Sequence, residues 1–323
     1  MKIQRLMTAF IIITAVGLLY DKYKEKYDPE PEKVQFQLIQ KYLLNEPGFD
    51  GSDKPLMWVF SDHKFNARHW KSFNSRKSRD LNQPYIHMCI ELIVKHCGNS
   101  FNICLINSES FDKLLNDWTI NVNELSEPIR SRVIQLGLFR ILHKYGGVCM
   151  PNTMIMFEDF KHHHDNYLGA TGCYFGEFVC RSVTSELKQT FPNNRLFGCE
   201  KNNENMKELC NYLEKIISTD NSAETDFIGN LERYVHLLID RGAINKLPGQ
   251  LIGTKKFNGD IVLIDELLEN SEIHFNSNIA CLYIPGDEVL KRRKYGWFAR
   301  LNKIQVLSSN TNVGKMFAMA YNN

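Results

Sequence analysis

Short unbroken apolar runs alternate along this chain with longer stretches in which apolar residues recur every three or four positions. That order is the one expected of strands and helices in an α/β domain. Leu56–Phe60 (LMWVF) predicts a strand buried on both faces, and residues 101–106 predict a second. Pro84 opens a predicted helix that runs to Cys97 and closes at Gly98. Residues 34–44 carry helical spacing (Val34, Leu38, Leu44), and residues 45–54 read as a Gly/Pro/Asp loop. Residues 61–79 are polar and predict a long loop leaving the first strand.

Ser126 is the predicted N-cap of a further helix, with Glu127 and Pro128 in its first turn. That helix runs to Tyr145, stops at Gly146-Gly147, and leads into a third strand over residues 148–150. Strand, helix and strand in this order predict a parallel or mixed sheet with helices on its faces. Beyond it the pattern loosens. Residues 205–217 and 231–239 read as helices, and residues 278–284 as a strand. Asn258-Gly259 between Ile252 and residues 261–264 reads as a hairpin turn.

The N-terminus is of another kind. Residues 6–20 (LMTAFIIITAVGLLY) hold no charge, with Lys2 and Arg5 before them and Asp21, Lys22, Lys24 and Lys26 after. Residues 1–20 are therefore expected to be a membrane anchor, making the chain a single-pass membrane protein. A signal peptide cut at Ala15-Val16-Gly17 and a buried core helix are the rival readings. Basic residues flank both sides, so charge leaves the orientation open. Residues 21–33, charged and carrying Pro29 and Pro31, form a stalk, and residues 34–323 one α/β domain.

Composition adds limits. With 43% hydrophobic and 24% charged residues the chain has the material for an ordinary core. A net charge of +2, from 39 basic and 37 acidic residues, gives no electrostatic case for a nucleic-acid partner. The nine cysteines include no CxxC pair, and several lie inside apolar runs, as buried free thiols do. No Asn-x-Ser/Thr triplet occurs despite abundant Asn, which favours a cytosolic-facing or otherwise unglycosylated domain.

Residues 131–160 (SRVIQLGLFRILHKYGGVCMPNTMIMFEDF) resemble the core motif of the DXD-containing sugar-nucleotide glycosyltransferases of the OCH1-like mannosyltransferase type. In that family a helix ends in Tyr-Gly-Gly and the following strand ends in Asp-x-Asp. Tyr145-Gly146-Gly147-Val148 keeps the helix end, Cys149 and Met150 fill the apolar strand positions, and residues 154–160 keep the tail. The likeness reaches back to Leu56–Phe60 and forward to residues 197–201. The whole chain also resembles uncharacterised proteins of large DNA viruses.

The resemblance implies a GT-A fold, a mixed sheet with flanking helices, and a nucleotide-sugar ligand. In the family the two carboxylates hold Mn²⁺ or Mg²⁺, which stabilises the diphosphate leaving group. Here those positions are Pro151 and Thr153, with Asn152 between them. Gln135 and Leu138 stand where the family helix carries an Asp and an Arg. No Mn²⁺ or Mg²⁺ cofactor is therefore expected.

Two readings follow. One is a non-catalytic scaffold or binding protein, with protein partners at a membrane or in a virion. The other is a metal-independent glycosyltransferase that neutralises the diphosphate with cations. Candidates for substrate contact are Ser61, Asp62, His63, Arg132, Gly146, Gly147, Asn152 and Thr153, joined by the cations Lys64, Arg68, Arg130, His143 and Lys144. Asp62, just beyond the first strand, is the candidate general base, against the commoner reading of a turn aspartate. Glu158 and His162, four apart before Asp165, are a candidate metal pair, against a polar surface turn. Residues 291–298 (KRRKYGWF) set basic residues beside aromatics, as a membrane-surface segment does, against a solvated helix with core-facing rings.

Overall fold

The computed structural model describes residues 54–62, 83–180, 189–219 and 224–323. The anchor, the stalk, the helix over residues 34–44, most of the loop over residues 61–79, and His63, Lys64 and Arg68 all fall outside the described residues.

The centre is a six-stranded sheet of β1 (Leu56–Phe60), β2 (Asn102–Ile106), β3 (Gly147–Pro151), β5 (Cys173–Val179), β6 (Thr190–Cys199) and β7 (Asn245–Leu247). Its order is β2-β1-β3-β6-β5-β7. β1 runs parallel to β2 and to β3, with Trp58 opposite both Cys104 and Cys149. β6 runs antiparallel to both β3 and β5, and β7 runs parallel to β5. The sheet is thus mixed, with β6 alone reversed among the described strands. A small antiparallel ribbon joins β4 (Met154–Met156) to β8 (Cys281–Tyr283).

The helices of eight residues or more are α1 (Pro84–Cys97), α2 (Ile129–Tyr145), α3 (Lys161–Leu168), α4 (Glu204–Ser218), α5 (Glu224–Asp240) and α6 (Asn312–Asn322). One sheet face presents Trp58, Cys104, Cys149, Phe175 and Phe197. They join Phe139, Leu142, Leu209, Leu213 and Val235 of α2, α4 and α5 in a single buried cluster. Met57 and Val59 point to the other face and are also fully buried. Burial on both faces explains why β1 and β2 read as unbroken apolar runs.

The Gly-Gly turn forms as the sequence predicts. The Gly146 N–H donates to Leu142 O at 2.7 Å, ending α2, and Trp58 Nε1 donates to Gly146 O at 3.0 Å. Gly147 has φ +100°, and a Cβ there would lie 2.2 Å from Leu56 O. Only glycine lets β3 start this close to β1.

Three predicted features change. Helix α2 starts at Ile129, and it is the carbonyl of Ser126, not its hydroxyl, that accepts from the Arg130 N–H at 2.9 Å. Asn258-Gly259 does turn the chain, with Gly259 at φ +91°. Its flanks form one bridge, Lys255 to Ile261, because the chain enters a short helix at Ile264–Leu268. The last predicted strand shrinks to Cys281–Tyr283, the part facing β4.

Candidate functional site

Parallel strands β1, β2 and β3 end side by side at Phe60, Ile106 and Pro151. In open α/β sheets such carboxyl ends, beside a reversal of strand order, are where ligands bind. The chain leaving β1 stays in the ladder for one more residue, since the Ser61 N–H donates to Ile106 O at 2.8 Å. Asp62 then becomes a clamp. Its Oδ1 accepts from the Ser108 N–H and Oγ, both at 2.9 Å, and its Oδ2 accepts from Arg130 Nη2 at 2.8 Å. Asp62 therefore ties the end of β1 to the segment after β2 and to the first turn of α2.

The other predicted residues of this edge are tied down in the same manner. Asn152 Nδ2 donates to Ser61 Oγ at 3.2 Å. Thr153 is buried, its carbonyl accepts from the Ile284 N–H at 3.0 Å, and its methyl group packs beside Gly286. The structure thus brings Ser61, Asp62, Arg130, Asn152 and Thr153 together. Pro151 offers no side-chain ligand, and Asn152 and Thr153 offer only neutral oxygens. Asp62 is the single carboxylate of this set, and both its oxygens already face N–H and O–H donors. At a diphosphate Mg²⁺ or Mn²⁺ is held through one or two free carboxylates, and with both Asp62 oxygens engaged these residues do not fit either ion.

Other candidates lie elsewhere. Gly146 and Gly147 start β3, at the opposite edge of the sheet from Pro151. His143 and Lys144 sit in the last turn of α2, about 22 Å from its first residue at 1.5 Å per residue. Lys144 Nζ is spent on Leu114 O at 2.9 Å. Arg132 is buried between α2 and α5. It donates to Gln135 Oε1 at 2.7 Å and pairs with Glu232 at 3.4 Å. Leu138 is in the core.

Glu158 lies outside α3, which begins at Lys161, so Glu158 and His162 do not share a helix face. Instead His163 pairs with Glu158 at 2.8 Å and His162 contacts Asn166. His164 is buried with its Nδ1 2.9 Å from Tyr174 Oη, and burial pushes its imidazole down to about 4. No group of three His, Cys, Asp or Glu side chains able to hold a metal is found among the described residues. In the basic-aromatic segment Lys294 and Tyr295 both bond Asp265. Phe298 is buried and Trp297 faces solvent.

A cavity of about 450 Å³ adjoins the β3–β4 joint, on the β5–β6 side of the same edge. It draws on Phe178 and Arg195 of the sheet, Glu232 and Arg233 of α5, and Tyr283 and Asp287 from the last third of the chain. Arg195 hydrogen-bonds Tyr283 and pairs with Asp287 at 2.7 Å, and Tyr283 meets Phe178 edge-on at 4.8 Å. Arg292, also in the wall, pairs with Glu288 at 3.5 Å. Three arginines thus face three carboxylates, and the wall has little net charge. Asn193 adds a buried amide oxygen with no hydrogen-bond partner among the described residues. No local spacing points to this site, because its parts come from segments about 90 residues apart.

Beside it, on the opposite face of β5 from Phe178, Glu177 is buried among Lys255 at 2.9 Å, Lys246 at 3.4 Å, the Gly249 N–H and Thr190 Oγ1. Burial alone would push its carboxyl up. The Lys255 and Gly249 hydrogen bonds and the two lysine charges outweigh burial and hold it below the usual range. This ionised carboxylate fixes the end of β5 to β7 and to the turn at residues 249–255.

No family model and no curated protein matches the chain. Among solved structures it is similar to the galactosyltransferase LgtC in complex with donor and acceptor sugar analogs. The TM-score is 0.39 at 9% identity, over 82% of this chain and 95% of that one. It is also similar to the PaToxG glycosyltransferase, with a TM-score of 0.30 at 12% identity, over 65% of this chain and 79% of that one. Both likenesses are remote. Among the described residues no helix is long and apolar enough to cross a membrane.

Proposed function

We propose that this chain is a glycosyltransferase-like binding protein in which a closed polar joint replaces the metal–diphosphate centre. The observation that carries this reading is the strand end itself. Asn152 bonds Ser61, Thr153 is buried beside Gly286, and Asp62 is held by Ser108 and Arg130. A scaffold that kept a metal-dependent transfer would hold free carboxylates there. The helix, Gly-Gly turn and strand over residues 131–160, set in a mixed sheet with one reversed strand, support the GT-A part of the proposal. Residues 6–20 supply its membrane anchor in this reading.

The second reading is a metal-independent transferase in which Arg195, Arg233 and Arg292 of the cavity wall would leave their present partners, Asp287 and Glu288 among them, to meet the diphosphate. Turnover separates the two. Donor hydrolysis and transfer are followed for the full chain with UDP- and GDP-sugars, each with Mn²⁺ and with EDTA. The binding-protein reading expects no turnover under either condition. Turnover that persists in EDTA and falls at least tenfold in Arg195→Ala would establish the second reading instead.

A further inference from the structure

Cysteines Cys173 and Cys199 face each other directly across antiparallel strands β5 and β6. The hydrogen-bonding pattern identifies which kind of position this is. The preceding pair, Gly172 and Glu200, carries the inter-strand bond, from the Glu200 N–H to Gly172 O at 2.8 Å. Paired and unpaired positions alternate along an antiparallel ladder, so Cys173 and Cys199 form a non-hydrogen-bonded pair. Consistently, the Cys173 N–H and carbonyl engage Thr171 Oγ1 instead of β6. At such positions the Cα atoms lie about 4.5 Å apart and the side chains lean together. That separation lies inside the range of about 4.4–6.8 Å that a disulfide requires.

The two thiols also point the same way. Both belong to the buried cluster on the α2–α4 face, and Phe175 and Phe197, two residues further along the same strands, stack at 5.2 Å. The other thiols of that cluster face no cysteine across a strand pair: Cys104 of β2 and Cys149 of β3 lie opposite Trp58 or Phe197, and Cys210 sits on α4.

We propose that Cys173 and Cys199 form an oxidisable pair that closes a cross-strand disulfide between β5 and β6. Two Sγ–H bonds break and one Sγ–Sγ bond forms. The two electrons and two protons pass to a disulfide oxidant such as oxidised glutathione, which leaves as two thiols. Both cysteines are fully buried, and burial raises both thiols far above their usual range. Thiolate attack is therefore suppressed in the folded domain, and the bond closes during folding, before the helices cover that face. A closed bond assigns folding of this domain to an oxidising compartment.

The test unfolds the full chain in denaturant with a reductant and refolds it in a glutathione redox buffer. A second sample stays reduced throughout. Peptide mapping without reduction is expected to find Cys173 linked to Cys199. The linked protein is expected to melt on the order of 5 °C above the reduced one. Cys173→Ala and Cys199→Ala are each expected to abolish that difference, and Cys210→Ala to keep it. Free thiols only, a Cys199–Cys210 linkage, or a linked protein that melts no higher than the reduced one would each overturn the proposal. If the alanine variants fail to fold, the wild-type peptide map and the paired melting curves decide alone.

Discussion

Gly147→Ala is expected to destabilise the domain by about 4 kcal/mol or more, at the far end of what single substitutions do. Two terms add. The φ of +100° places an alanine where L-residues carry a cost of about 1–2 kcal/mol. The new Cβ would then lie 2.2 Å from Leu56 O, a backbone atom of central strand β1. That atom cannot move aside without breaking the β1–β3 register that places Phe60 beside Pro151. Gly242→Ala is the control, since its φ is +71° and nothing lies within 4 Å of its Cβ. It is expected to lose only the backbone term. Melting temperatures of the two variants check this, with a fall of about 10 °C or more expected for Gly147→Ala at roughly 2–4 °C per kcal/mol. Equal falls would show that the clash with β1 is not the cause.

Acid is expected to weaken the fold through His164. This imidazole is buried against Tyr174 and Phe101, and its folded value of about 4 lies below the ordinary 6.5. Burial is the main cause. Asp165 pulls the value up and Lys161 pushes it down, but neither outweighs desolvation. Between 6.5 and 4 the unfolded chain binds a proton that the folded one refuses, so stability falls with pH across that window. The contribution is complete above pH 6.5 and is lost on the way down to about 4. At 1.36 kcal/mol per unit the loss is about 3 kcal/mol. Glu177 adds to it at lower pH, because its depressed value makes its contribution full above 4.5 and lost below. Denaturant unfolding of the wild type and His164→Gln at pH 7, 5.5 and 4.5 measures the slope. The variant is expected to start less stable at pH 7 and to lose about 2.5 kcal/mol less by pH 4.5. An unchanged slope would mean that His164 protonates freely in the folded state.

How much of this was legible in the sequence depends on how local each signal was. Helix α1 and strands β1 and β2 were readable to within a residue or two, because unbroken apolar runs and a Pro84–Gly98 frame need no tertiary context. The turn at Gly146-Gly147 was equally plain. Strands β5 and β6 were not read. Their runs, CYFGEFV and TFPNNRLFGC, carry Glu177, Pro192, Asn193 and Asn194 inside, and a register shift between Phe175 and Gly176 breaks the alternation. Glu177 is tolerated there only because Lys255 and Lys246 arrive from more than 60 residues away. At Asn258-Gly259 turn chemistry fixes the bend but not the length of the strands that follow it, and only the Lys255–Ile261 bridge forms there.

The candidate site divides along the same line. Ser61 and Asp62 follow from the end of the first strand, Asn152 and Thr153 only from the resemblance over residues 131–160, and the structure bonds Asn152 to Ser61. What the sequence could not supply was their partners. Asp62 reads as a base when alone and as a clamp once Ser108 and Arg130 are seen around it. Arg195, Tyr283 and Asp287 form the cavity wall through contacts that no spacing rule encodes.

The central claim is the proposal that this strand end does not bind a metal–diphosphate. Isothermal calorimetry of UDP and GDP into the full chain, with Mn²⁺ and then with EDTA, tests it most directly. A sharp melting transition of the same sample shows that the fold is intact. The account predicts that Mn²⁺ leaves nucleotide binding unchanged from its level in EDTA. Saturable binding that appears with Mn²⁺ and disappears with EDTA would contradict it.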